Sequence, residues 1–364
     1  MKPRLDRLEA LRAFACIGVF TFHCYVSLLG TWAVSVFVML SGFLLTYTGL
    51  DRVERFPTDL KGCAAYAWKK TRKMYPLYFV TLLVLALRIF LLAPENPDMN
   101  QVNIFIKQFV LSVFLIQSWP PNTEWAFGFN GVGWYLSTCI ILYFAFPAIL
   151  RRVKRCSGIK AAFTYIGLIF ASMFIVAWLA AVLHRKLTGA DFNAAQNFQH
   201  WFTYVFPPFR LGDFSIGCIL GYVFTQADRE KTGRAAATAL EAAAIGLFIL
   251  TQALFNTAKL PNFIDCNLLF IPSSAMLVYF FALGRGHISR LLDNRLTRLI
   301  ADYSVEIFLI HFAVVKYASP FSHLLPVPYI FQQIAFASFA VILTALACFV
   351  WRRIGRRFPA LAVK

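Results

Sequence analysis

Two residues that hydrocarbon disfavours stand inside the first apolar stretch of the chain. The segment from Leu8 to Leu29 reads LEALRAFACIGVFTFHCYVSLL and carries Arg12 and His23. Eleven positions along a helix turn through about 1100°, three turns plus about 20°, so both side chains fall on one face, about 16 Å apart along the axis. Ionisable groups in a span either line a wet interior and do work there, or snorkel and hydrogen-bond as structure. A histidine with a near-neutral pKa is a general base or a nucleophile. An arginine one end away from it is a site for an anionic group.

The elements that position this pair are membrane helices. Of 364 residues 59% are hydrophobic and 14% charged, and long apolar runs recur along the whole chain. The short alternating strands of an outer-membrane barrel are absent. The spacing predicts ten spans, near 8–29, 32–50, 75–93, 132–150, 161–183, 209–225, 236–256, 267–284, 299–318 and 329–350. Ile104 to Gln117 is apolar but short and carries Lys107. If it does not cross, the loops alternate with 27 Lys and Arg on one side and 3 on the other, as the positive-inside rule requires. The expected fold is therefore all-α: a polytopic transmembrane bundle of about ten spans. Both termini are cytoplasmic, and a re-entrant or interfacial element lies on the outer side near 104–117. The expected location is the inner (cytoplasmic) cell membrane, in contact with membrane lipids.

The same count accounts for most of the net charge of +18 and argues against a nucleic-acid partner. The eight cysteines form no CxxC and no zinc spacing. They read as small packing residues, with no disulfide framework and no metal site. The amino terminus resembles a signal peptide, but no small-x-small cleavage site follows, so an uncleaved first span is expected. No repeat or polar linker divides the chain, which reads as one membrane domain over 1–364. Gly217 and Gly221 form a small-xxx-small face for close helix approach.

The opening EALRAFACIGVFTFH followed by FVMLSGFLLTY resembles the acyltransferase-3 family of integral membrane O-acyltransferases. Arg12 and His23 match that family's Arg/Lys–x10–His, and Ser41-Gly42-Phe43 its Ser-Gly-Phe. The run from Ser304 to His311, SVEIFLIH, is similar to its Ser-Tyr-x-Ile-Tyr-Leu-Ile-His. Trp134-Tyr135-Leu136 through Tyr143 and Pro147 resembles its central span. The motifs cover nearly the whole chain in the right order. There are departures: Glu9 replaces the usual Asp, Cys139 stands where many members carry Glu, and Lys69-Lys70-Thr71-Arg72-Lys73 puts lysine in several arginine positions. Lysine keeps the charge but loses bidentate phosphate binding.

The resemblance implies transfer of a short acyl group, acetyl first, from cytoplasmic acyl-CoA to a hydroxyl of a glycan or lipid-linked sugar. No cofactor is held tightly; acyl-CoA is a substrate. His23 and Arg12 would be catalytic. Arg12, Ser41, Lys69, Lys70, Arg72 and Lys73 would hold the polyanionic donor, although any cytoplasmic loop is basic for topology alone. Glu306 and His311, five residues apart and about 140° from a common direction, cannot both face one point; one is expected in the cavity and the other in a structural role. Trp134 and Tyr135 begin a span, as an aromatic belt or as a platform for a sugar. Asp302 and Tyr303 are candidates to help hold the donor. His184, His200 and His323 are expected in solvated outer loops. Two rivals remain: an acyl carrier feeding a separate transferase, and a glycan or solute transporter, whose inverted repeats are not seen.

Overall fold

The computed structural model describes residues 5–92, 98–189, 196–227, 232–321, 328–358 and 361; His323 lies outside them. These residues form helices and no strand. Those of twelve residues or more are α1 (Arg7–His23), α2 (Gly30–Gly49), α3 (Leu60–Thr71), α4 (Tyr75–Leu91), α5 (Met99–Val113), α6 (Trp134–Lys154), α7 (Ile159–Thr188), α8 (Leu211–Gln226), α9 (Arg234–Thr257), α10 (Ile271–Leu283), α11 (Ser304–Ala318) and α12 (Tyr329–Arg357).

Each apolar segment expected to span falls on one of these helices, but their lengths differ. Five stretches are long and apolar enough to cross a membrane alone: 30–55, α6, α7, α9 and 331–357. A sixth arises if α3 and α4, bent by 63° at their junction, make one broken span. By contrast α1, α8, α10 and α11 have 17, 16, 13 and 15 residues, short of the ~20 that a full crossing takes. The protein is thus a multi-pass membrane protein whose described residues are all-helical, with five to six helices of spanning length among them.

Close packing begins at glycine. A side chain on Gly42 would strike the carbonyl oxygen of Phe214, one on Gly217 that of Met39, and one on Gly221 that of Phe43. Hydrogen at these three positions lets α2 and α8 approach backbone to backbone, as the Gly217–Gly221 spacing predicts. The glycine of the Ser41-Gly42-Phe43 motif is therefore a packing residue. Phe43 is wholly buried beside it, its ring 5.3 Å from that of Phe224.

Two expected segments end differently. The first span stops at His23. The Cys24 N–H bonds the Phe20 carbonyl, Tyr25 takes a left-handed φ of 60°, and the Val26 N–H returns to the Thr21 carbonyl at 2.9 Å. The Thr21 and Ser27 hydroxyls lie 2.8 Å apart across this turn. His23 is thus the last residue of α1, where the sequence reading puts it near mid-span. The segment near 104–117 is helical as α5 and then folds back. Leu115 adopts φ 55°, and Phe105 and Phe109 meet Phe129 of the returning loop at 4.8 and 5.5 Å. The Tyr75 and Tyr78 hydroxyls donate to the carbonyls of Val113 and Ser112, both at 2.8 Å, and anchor its tip to α4.

Carboxylates and guanidinium groups tie the far end of α1 and the last helix in place. Arg7 pairs with Asp293, which also accepts from Arg298 at 2.6 Å. Arg352 of α12 donates to Glu306 at 2.7 Å and Asp302 at 2.6 Å, and lies 3.4 Å over the Tyr303 ring. Within the core, Arg210 and Asp213 are both fully buried and paired at 2.7 Å. Arg210 precedes α8 and Asp213 lies in its first turn, so two buried charges offset each other as an ion pair.

Candidate functional site

Helix α1 connects two polar regions, one around Arg12 and one around His23, about 16 Å apart along its axis. Arg12 is about a third exposed and reaches Glu9 at 3.4 Å, one turn back. Tyr143, half-buried in α6, interacts electrostatically with Arg12 and Tyr66 and hydrogen-bonds Cys139. Tyr66 in turn lies under the Lys70 ammonium, 5.7 Å from ring centre to nitrogen. Lys70 of α3 and Arg12 of α1 thus meet a pair of neighbouring tyrosines, Lys70 at Tyr66 and Arg12 at Tyr143. Lys69, Arg72 and Lys73 are exposed beside it, free to meet a polyanion.

From Tyr143 a column of side chains climbs α6 toward His23. Tyr135 hydrogen-bonds Cys139 and Ser41, and Ser41 also donates to the Phe37 carbonyl at 2.8 Å. The 3.6-residue repeat stacks Tyr135, Cys139 and Tyr143 on one face. The chain thus has a thiol held between two phenols. Above Tyr135 comes Phe308, ring centres 5.3 Å apart, then His311 at 6.2 Å.

His311 and His23 meet at 5.2 Å between ring centres. His311 Nδ1 lies 2.9 Å from the Ile307 carbonyl oxygen. A carbonyl only accepts, so Nδ1 bears the proton, and Nε2 of the neutral ring is left as an acceptor. That Nε2 is buried without a hydrogen-bond partner. His23 forms no hydrogen bond to protein among the described residues, and packs edge-on against Phe22 and Phe312 at 5.2 and 5.1 Å.

Two cavities share His23. One, of about 300 Å³, is walled by Thr31, Trp134, His200, Tyr204, Phe308 and Phe312. The other, of about 410 Å³, is bordered by Tyr25, Ser27, Phe312 and Lys316. Trp134 is buried, 4% exposed, in the first cavity wall. It packs at 4.7 Å against Tyr204, so it is no belt residue at a membrane surface.

Several residues sit elsewhere than the sequence predicts. Glu306 leaves the cavity to pair with Arg352, because the basic end of α12 packs beside it; Asp302 and Tyr303 are drawn into the same cluster. Of the Glu306–His311 pair, His311 alone faces His23. His184 stacks on Phe198 at 4.2 Å rather than standing in solvent. His200 lines the first cavity with Tyr204 at 5.2 Å, and burial lowers its pKa from 6.5 to about 4. Sequence reasoning placed His200 in solvent, gave Tyr143 no role beyond the motif, and missed Tyr204, Lys316 and the Arg210–Asp213 pair. The pair was visible by the rule that singled out Arg12: ionisable residues inside an apolar run. His200 opens the aromatic run HWFTYVF, whose π-helical turn Trp201–Val205 carries Tyr204 to the cavity. The Trp201 indole anchors this turn by donating to the Ser118 carbonyl at 2.9 Å.

Known proteins point the same way. Acyltransferase MdmB of Streptomyces mycarofaciens is 26% identical over 340 residues, which cover 87% of this chain and 81% of that protein. No solved structure matches the chain significantly. The sequence profile of the acyltransferase-3 family, described as an acyltransferase domain, matches residues 5–353, and the chain belongs to that family.

Proposed function

We propose that this membrane acyltransferase moves a short acyl group, acetyl first, from cytoplasmic acyl-CoA to a hydroxyl of a glycan or lipid-linked sugar. The observation that carries the reading is the polar column from Arg12 and Lys70 through Tyr143, Cys139 and Tyr135 to His23 and His311. It has cations at one end, an uncommitted imidazole at the other, and a length suited to an extended donor. In this reading ten segments cross the bilayer as one domain, both termini are cytoplasmic, and α5 dips in from the outside. The membrane is the inner membrane of the cell.

Arg12 and the lysine-rich end of α3 hold the donor's phosphates, with Lys69, Lys70, Arg72 and Lys73 as point charges and Ser41 along the path. The acceptor's sugar ring lies against Trp134 and Tyr204. His23 takes the proton of the attacking hydroxyl, the new C–O bond forms, the C–S bond breaks, and the proton passes to the leaving thiolate. His311, held by the Ile307 carbonyl, confines the His23 imidazole by ring packing at 5.2 Å. Mass spectrometry of surface glycans tests the reading: a strain lacking the chain loses acyl-bearing species that the complemented strain regains. Identical glycan profiles in both strains count against it.

A further inference from the structure

Lys316 is a cation beside His23 that the transfer chemistry does not use. It lies in the last turn of α11 and borders the 410 Å³ cavity that His23 also lines. Its ammonium stands 5.3 Å from the Phe312 ring centre and is close enough to His23 to interact with it electrostatically. Phe312 packs on His23 from the other side at 5.1 Å. Ammonium, phenyl ring and imidazole therefore form one wall.

No carboxylate among the described residues pairs with this lysine. The sequence explains why. Between Glu9 and Asp51 there is no Asp or Glu, and none follows Glu306 to the end of the chain. Every segment that lines this cavity comes from those two stretches. A half-buried ammonium without a counter-ion is costly to desolvate, and the cavity gives room for an anion to supply one.

Resting on the reading of His23 as the transfer centre, we propose that Lys316 is an acceptor subsite for an anionic sugar, one bearing a phosphate or carboxylate. The anion sits on Lys316 while the hydroxyl to be acylated reaches His23. An anion here also offsets the positive charge that gathers on His23 as it takes the hydroxyl proton. Neutral sugars forgo both effects.

The test uses the full chain in neutral phosphatidylcholine nanodiscs and reads the rate at which diethyl pyrocarbonate modifies the His23 peptide. His287, exposed at the other end of the bundle, is the internal control. Glucose 1-phosphate and glucuronate are expected to protect His23 about tenfold better than glucose at equal concentration, the worth of one charge-assisted contact. Lys316→Gln removes the preference and Lys316→Arg keeps it. Equal protection by glucose, protection by inorganic phosphate or by phosphatidic acid in the nanodisc in place of the sugar anions, or no protection at all would overturn the assignment. So would an anion preference that survives in Lys316→Gln. These outcomes leave the role of His23 in transfer to be judged by its own substitution.

Discussion

His23 and His311 stand 5.2 Å apart between ring centres, and only His311 is committed to the backbone, through Ile307. The pairing gives the two histidines different work. One is fixed in tautomer and orientation by its own helix; the other ends a helix, opens on two cavities and has no protein hydrogen-bond partner among the described residues. His311→Ala should therefore disturb the orientation of His23 more than it disturbs the fold.

The donor end rests on Arg12. Arg12→Ala should weaken acyl-CoA binding at least about tenfold, the usual worth of a lost charge-assisted contact, while leaving the yield of folded protein unchanged. Equilibrium binding of acyl-CoA to purified protein measures this. Parent-like affinity would reduce Arg12 to an anchor.

The proposed orientation rests on the 27-to-3 distribution of Lys and Arg between the two sets of loops. Single cysteines placed in 51–73, in a background free of the native thiols, should be labelled only from the cytoplasm. Cysteines in 118–131 should be labelled only from outside. Labelling of both sets from one side would invert the account of α5, which would then have to cross.

At the other end of the ion-pair network, Glu306 is 2% exposed and depends on Arg352. Arg352→Ala leaves a buried carboxylate without its partner and should cost about 3–5 kcal/mol. The double variant Arg352→Ala/Glu306→Leu should recover much of it, because the uncompensated charge is gone. Thermal unfolding in detergent compares them. Equal stability of single variant and parent would show that the cluster does not hold α12.

His200 supplies a pH dependence. Burial holds its folded pKa at about 4 against an ordinary 6.5, so between these values the unfolded chain binds more protons than the folded one. The stability that comes from keeping His200 neutral is fully present above about pH 6.5 and is lost as pH falls toward 4. Melting temperature should drop over that window, and His200→Phe should flatten the drop. An unchanged slope in the variant would mean that His200 is wet and ordinary.

How much of this was legible in the sequence depends on what each feature needs. Apolar runs and basic loops are local, so every expected segment lands on a helix, and the Gly217–Gly221 spacing foretells the seam with α2. The motif residues Arg12, Ser41, Tyr135 and His311 do converge on one column. What the sequence hid is set by tertiary contact. Nothing local says that α1 stops at His23, since the turn is closed by Thr21 and Ser27 after an apolar run with no helix breaker before Gly30. The partner of Glu306 lies 46 residues away on α12. His200 reads as a loop residue until the turn anchored by Trp201 places it opposite His23.

The central claim is that His23 does the chemistry rather than holding helices together. Transfer from acyl-CoA, measured per mole of folded His23→Gln protein with donor binding as the control, tests it most directly. Yield and donor affinity should stay close to the parent while transfer falls about 10²–10⁴-fold, the usual worth of a positioned acid–base group. Parent-like transfer by well-folded His23→Gln protein would contradict it.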